Sequence, residues 1–195
     1  MRNILRYKMV TLMLGALLLA GAVPGVFANN FNIDPTHSFI QFRISHLGFS
    51  ILNGRFNELK GHFYYDEAQS ANTSFQIEVN TASVDTNHAE RDKHLRNEEF
   101  LDVKKYPQAK FESIIFKEEG MSATLTGKLQ LHGVTRNIEV YVQRLGAGDD
   151  PWGGYRQGFK GQTSIRLKDF GINYNLGPAA EELRLDVYIE GIRAK

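Results

Sequence analysis

The sequence predicts an all-β fold, an antiparallel sheet with one apolar face that either closes as a barrel or splits as a sandwich. Three observations predict it. Apolar and polar residues alternate through about eight segments, as where Leu183, Leu185, Val187 and Ile189 oppose Arg184, Asp186 and Glu190. Clusters of turn-forming residues separate them, among them "KEEG", "HGV", "GAGDDPWGG" and "NYNLGPAA". The one long stretch without alternation, Asn87 to Pro107, is charged and reads as helical. No repeat or linker divides the chain, so residues 29–195 are read as one domain.

The elements follow in order. In "THSFIQFRISHL", Ile40, Phe42, Ile44 and His46 fall on one face of a first strand. Asn53-Gly54 is a hairpin signal. "RFNELKGHFYYD" is a second strand, expected to bulge near Gly61 because its apolar set switches between Phe56 and Phe63. "TSFQIEVNTASV" is a third, with Phe75, Ile77 and Val79 on one side. The remaining strands lie in "AKFESIIFKEE", "MSATLTGKLQLHG", "VTRNIEVYVQRLG", "GYRQGFKGQTSIRLKDFG" and "ELRLDVYIEGIRAK".

A helical insert is expected over about residues 87–106. Asn87 and Glu90 have capping-box spacing, Asn97 with Glu98 and Glu99 looks like a second start, and Pro107 forbids continuation. Its apolar residues, Leu95, Phe100, Leu101, Val103 and Tyr106, are few and late. Such a piece is a thin amphipathic cover, suited to closing one end of a barrel.

The first 28 residues are set apart. Arg2, Arg6 and Lys8 precede an apolar run that ends before Pro24, and "VFA" supplies a cleavage site after Ala28. The run is shorter than the roughly 18–20 residues of a membrane span, so the segment reads as a cleaved Sec-type signal peptide and the protein as exported. Without it the chain has 20 cations against 22 acids, a balance that argues against an electrostatic nucleic-acid binder. There is no cysteine, so stability must come from an apolar core, which fits a bacterial periplasm.

Four motifs carry a family resemblance. "FNIDPTHSFIQFRISHLG", "RDKHLRNEEFLDVKKYPQAKFES", "GKLQLHGVTRNIEV" and "LKDFGI" stand in order along the chain and resemble the YceI-like family of periplasmic polyisoprenoid-binding proteins. The one departure, Phe31 where the family tends to have tryptophan or tyrosine, keeps an aromatic. The resemblance implies a lipocalin-like, eight-stranded antiparallel β-barrel whose internal tunnel holds a long amphiphilic isoprenoid or related lipid. It also implies the periplasm of a Gram-negative bacterium, with transport or storage as the role and no catalysis. No cofactor is implied beyond a bound isoprenoid or isoprenoid-quinone-like lipid. A transient membrane contact and a homodimer are compatible with this reading.

Lipid capture needs an apolar tunnel and a few polar groups at its mouth. Ten to fifteen buried prenyl carbons would supply roughly 8–12 kcal/mol at about 0.8 kcal/mol each, before ordering costs. The candidate lining residues are the inward apolar sets: Ile40, Phe42, Ile44, Phe56, Phe63, Phe75, Ile77, Leu125, Leu129, Val140, Phe159, Ile165, Leu185 and Val187. Alternation alone leaves a solid core as the other outcome. His46 is either a satisfied core histidine or a contact for a lipid headgroup. In the insert, His94 and Arg96 are expected as hydrogen-bonded supports, with Arg91 and Asp92 pairing at its surface and Leu95 and Phe100 among its structural residues.

Reactive chemistry has few candidates. The six histidines include no H-E-x-x-H pair, and His88 and His94 are separated by about 240° round a helix, so no metal is expected. A catalytic serine elbow is lacking, and "GAGDDPWGG" has no phosphate-loop spacing. Trp152 in that loop either packs on its neighbours or touches lipid. Two further readings stay open: an envelope enzyme or metal-dependent protein using His37, His46 and His94, and an aromatic-rich glycan-binding module on a sandwich.

Overall fold

The computed structural model describes residues 29–195, so the expected signal segment and its expected cleavage after Ala28 lie outside the described residues. In chain order the elements are β1 (Asn30–Ile33), β2 (Phe39–His46), β3 (Ser50–Phe56), β4 (Leu59–Tyr64), β5 (Ser74–Asn80), β6 (Val84–Asp85), α1 (Ala89–Leu95), β7 (Gln108–Glu119), β8 (Ser122–Leu131), β9 (Val134–Asp149), β10 (Tyr155–Arg166) and β11 (Glu182–Arg193). Every pairing is antiparallel.

The short early strands are halves of longer ones. β1 and β2 run end to end along β11, Ile33 opposite Gly191 and Phe39 opposite Tyr188. β4 and β3 pair with them in turn, and β5 and β6 pair with β4 and β3. Three two-piece strands and five continuous ones therefore close an eight-stranded barrel, with β11 bonded to β10 on one side and to β1 and β2 on the other. A closed sheet leaves no free edge, so the sandwich alternative falls away.

The three breaks lie side by side. Pro35 lacks an amide hydrogen and interrupts the first strand, and Asp34 N and the Ser38 hydroxyl tie the detour back to the Glu190 carbonyl at 2.8 and 3.2 Å. The second break is at Asn57 and Glu58, whose amides donate to Ser83 O and Ser83 Oγ. The third is a 3₁₀ turn, Thr81–Ser83. The inward side switches from Phe56 to Leu59 across the second break, so the change of face seen in the sequence belongs there. Gly61 sits in regular register opposite Ile77. Register shifts occur instead at Ser113/Ile115 and at Gly158/Phe159.

Asn53-Gly54 is likewise not a turn. Both lie within β3, and the reversal is at Leu47-Gly48, where φ is +53° and +80°. Gly54 answers a packing demand: a Cβ there would stand 2.2 Å from the ring of Phe42.

The antiparallel order sorts the connections onto two ends. One end carries the β4–β5, β7–β8 and β9–β10 connections. The other carries the β2–β3 turn, the insert, the β8–β9 turn and the β10–β11 loop. The insert is less helical than its composition suggests. Only α1 is helix, because Asn97 Oδ1 accepts from the Glu99 amide and Asp102 takes a left-handed φ of +42°, which turns the chain back. The N-cap is His88, whose Nδ1 accepts from Arg91 N at 3.2 Å; Asn87 has a left-handed φ of +61° and cannot serve.

Candidate functional site: an apolar chamber

Inward-facing side chains fill one end of the barrel and leave the other hollow. At the filled end Phe63 is fully buried and stacks on Phe31 at 4.8 Å and on Phe75 at 5.2 Å, with Phe159 edge-on at 5.5 Å. Tyr65 meets Phe159 at 5.2 Å. Gly191 makes room for this plug, since a Cβ there would lie 2.4 Å from the Phe63 ring. Solid core and tunnel were alternatives in the sequence; the barrel has one at each end.

Below the plug lies a chamber with a cavity volume of about 190 Å³. Its wall is drawn from every strand position of the barrel and from the insert. Ile40, Phe42, Phe56, Phe75, Ile77, Leu125, Leu129, Val140, Phe159, Ile165, Leu185 and Val187 all line it, as alternation placed them. Leu95, Phe100, Leu101, Leu167, Ile172 and Leu183 close the helix end. Only Lys110 and Thr163 in the lining have polar side chains. Thr163 Oγ1 donates to the Glu139 carbonyl at 2.7 Å, and Lys110 Nζ reaches Glu78 on the outer face at 3.3 Å. The chamber therefore offers an unoccupied polar group to nothing inside it.

Three expected wall residues are elsewhere. Phe63 belongs to the plug. Ile44 is buried opposite Leu52 but does not reach the chamber, and His46 is exposed at the end of β2. The pairing of β2 with β11 stops at Arg43–Arg184, so these two side chains lie beyond the paired part of the wall. Sequence alternation missed Leu167 and Ile172, because the β10–β11 loop that carries them has no period to read, while Leu183 shares the face that alternation gave to Leu185 and Val187 without being named as lining.

The insert is fastened as a cover. Arg96 donates to the Ala82 and Val84 carbonyls, both at 2.7 Å. Arg91 and Asp92 do not pair with each other. Both hold Thr86, Arg91 through Thr86 Oγ1 and O, and the buried Asp92 by accepting from Thr86 N at 2.9 Å and Thr86 Oγ1 at 2.5 Å. His94 pairs with Glu99 at 2.7 Å and packs edge-on against Phe100 and Tyr174, which joins the cover to the β10–β11 loop. On the far side Tyr106 meets His132 of the β8–β9 turn at 4.6 Å.

The histidines do not converge. Among the described residues the one grouping of three potential metal donors is Asp34, His37 and Glu190, within 4.8 Å of one another. Arg156 already serves it, bonded to Asp34 at 2.8 Å, to Asp150 at 2.8 Å and to Glu190. Burial would push the Asp34 carboxyl up, but hydrogen bonds from Thr36, His37 and Arg156 outweigh it and hold the group well below the usual carboxylate range. Asp34, Asp150 and Glu190 in turn raise the Arg156 guanidinium above its usual range, so a side-chain cation already serves the two carboxylates of this grouping. His46 and His94 stand apart from this network. Trp152 is 80% exposed, with the Arg156 guanidinium 5.7 Å from its ring.

The model of the YceI-like domain family matches residues 31–191. A UPF0312 protein of Pseudomonas aeruginosa (strain LESB58) is 50% identical over 192 residues, covering 97% of this chain and 99% of that one. Among solved structures, BcnA of Burkholderia cenocepacia superposes with a TM-score of 0.72 at 23% identity, over 81% of this chain and 98% of its own. A polyisoprenoid-binding domain from Saccharophagus degradans superposes with a TM-score of 0.65 at 20% identity, over 86% and 99%. At those identities the superpositions speak to the fold, while the family match spans nearly all the described residues. This chain belongs to the YceI-like family.

Proposed function

We propose that this protein binds a long-chain isoprenoid or related lipid by its hydrocarbon tail, inside the barrel, as a carrier or store in the bacterial periplasm. The observation that carries the reading is a blind chamber walled by apolar side chains, in which the only two polar ones are already engaged. Such a space rewards hydrocarbon and penalises a buried headgroup. At about 10–15 Å³ of cavity per water-sized group, the volume seats roughly a dozen carbon-sized groups with the walls as they stand. A dozen methylenes removed from water are worth about 10 kcal/mol before ordering costs. The headgroup then stays at the helix end, beyond the cover. The polyisoprenoid-binding relative in fold supports the choice of ligand class. The reading contains no chemical step.

Organic extraction and mass spectrometry of protein purified from a bacterial envelope test it. One long-chain lipid per protein molecule is the expected result. An empty extract, together with no uptake of a fluorescent prenyl probe by the purified protein, would overturn it.

A further inference from the structure

We propose that the chamber measures its ligand: it takes a single hydrocarbon tail of about twelve main-chain carbons, three isoprene units in a prenyl ligand, with Phe75 and Phe159 setting the limit. This deepens the carrier reading and rests on it. The floor that stops the tail is built in layers. Phe75 and Phe159 line the chamber and meet edge-on at 5.3 Å. Behind them the fully buried Phe63 ring is stacked between Phe75 and Phe31. Outermost, the Arg193 guanidinium lies 3.8 Å from the Tyr155 ring and 5.6 Å from that of Phe31. Arg144 lies 5.3 Å from the ring of Tyr65, whose hydroxyl donates to Glu118 at 3.3 Å. Rings interlocked in this way do not yield to a passing chain, because a packed interior resists displacement of any one member. A tail that enters from the helix end stops at Phe75 and Phe159.

Length and volume give the same count. Along β10 the chamber is lined from Phe159 at the floor to Ile165, which clusters with Phe100 of the cover. At about 3.3 Å per residue that step is roughly 20 Å of strand, and a tilt of about 40° leaves roughly 15 Å along the barrel axis. An extended hydrocarbon advances about 1.25 Å per carbon, so about twelve carbons span it. The cavity volume of about 190 Å³ seats the same number of carbon-sized groups. The two counts agree only if the bore is one chain wide. A second tail beside the first finds no room, and carbons beyond about the twelfth stay at the cover, where they gain little from burial.

Displacement of a fluorescent prenyl probe by geraniol, farnesol and geranylgeraniol, with two, three and four isoprene units, tests this. The third unit should strengthen binding by about a hundredfold, and the fourth by less than about threefold. Phe159→Ala opens the floor by about one isoprene unit, so the fourth unit should then bring about tenfold or more. Val142 lines the chamber and pairs across the sheet with Ala123 and Gly161. Val142→Phe therefore has room to raise the floor, and farnesol should lose most of its advantage over geraniol in that variant. Far-UV circular dichroism checks that both variants fold, and the parent series decides alone if neither does. A fourth unit worth as much as the third in the parent, or a length preference unmoved in both folded variants, would overturn the length limit and leave the carrier standing. If the parent binds none of the three alcohols, the carrier reading itself falls and the length limit with it.

Discussion

Ile77→Asp is the sharpest probe of the chamber. Ile77 is 9% exposed, lies mid-strand in β5 between Gly61 and Phe111, and lines the cavity. Two costs can be separated. Removing the buried aliphatic side chain costs about 3 kcal/mol at any pH. A carboxyl in that wall finds no free polar partner, so it folds protonated, and its folded pKa is raised above the unfolded value of about 3.9. Keeping it protonated at pH 7 costs about 4 kcal/mol, and at pH 5 about 1.5 kcal/mol, at 1.36 kcal/mol per pH unit. The penalty grows as pH rises above the unfolded pKa and stops growing at the folded one. Urea unfolding of Ile77→Asp and Ile77→Asn at both pH values checks this. The aspartate variant should gain about 2.5 kcal/mol relative to the asparagine variant on going from pH 7 to pH 5, and it should carry less lipid at either pH. An aspartate penalty identical at the two pH values would mean that the carboxylate stays ionised in water, and the dry wall at this position would be refuted.

Three further outcomes are expected. Gly127→Ala places a Cβ 2.3 Å from the Phe111 ring and 2.8 Å from the Glu112 carbonyl oxygen, and should lower stability by about 1–3 kcal/mol in urea unfolding. Asp92→Ala strands the Thr86 amide and hydroxyl. It should cost about 2–3 kcal/mol and speed amide exchange across residues 86–96 before other segments. Asp34 has a folded pKa depressed below its unfolded one, so its contribution is present above about pH 4 and is lost as pH falls toward the folded value. Acid unfolding should therefore be shallower in Asp34→Asn than in the parent, and identical acid limbs would contradict the Asp34–Arg156 network.

Much of the barrel was legible because period-two patterning says which residues share a face. Twelve of the fourteen apolar wall residues read from alternation line the chamber. The failures have local causes. Ile44 and His46 keep the inward parity, but parity says nothing about where the neighbouring strand ends. Phe63 faces inward too, yet nothing in one strand's pattern distinguishes a plug from a lining. The Asn53-Gly54 turn signal was overridden by the Phe42 ring, which needs a glycine in mid-strand. The insert was foreseen as a cover, but its fastening by Arg96 to two carbonyls and by Asp92 to Thr86 joins residues whose partners only the folded chain brings near.

By itself the amino-acid order determined the all-β class, the inward faces and the polar cover, because alternation and turn chemistry act between residues close in the chain. Whether those faces meet or leave a space was decided by the tertiary structure. That outcome depends on summed side-chain volumes at each level of a closed barrel. Phenylalanines from β1, β4, β5 and β10 crowd one level and seal it. At the next levels the inward side chains are mostly aliphatic, and the rings among them, Phe42, Phe56 and Phe111, leave the space between the walls unfilled.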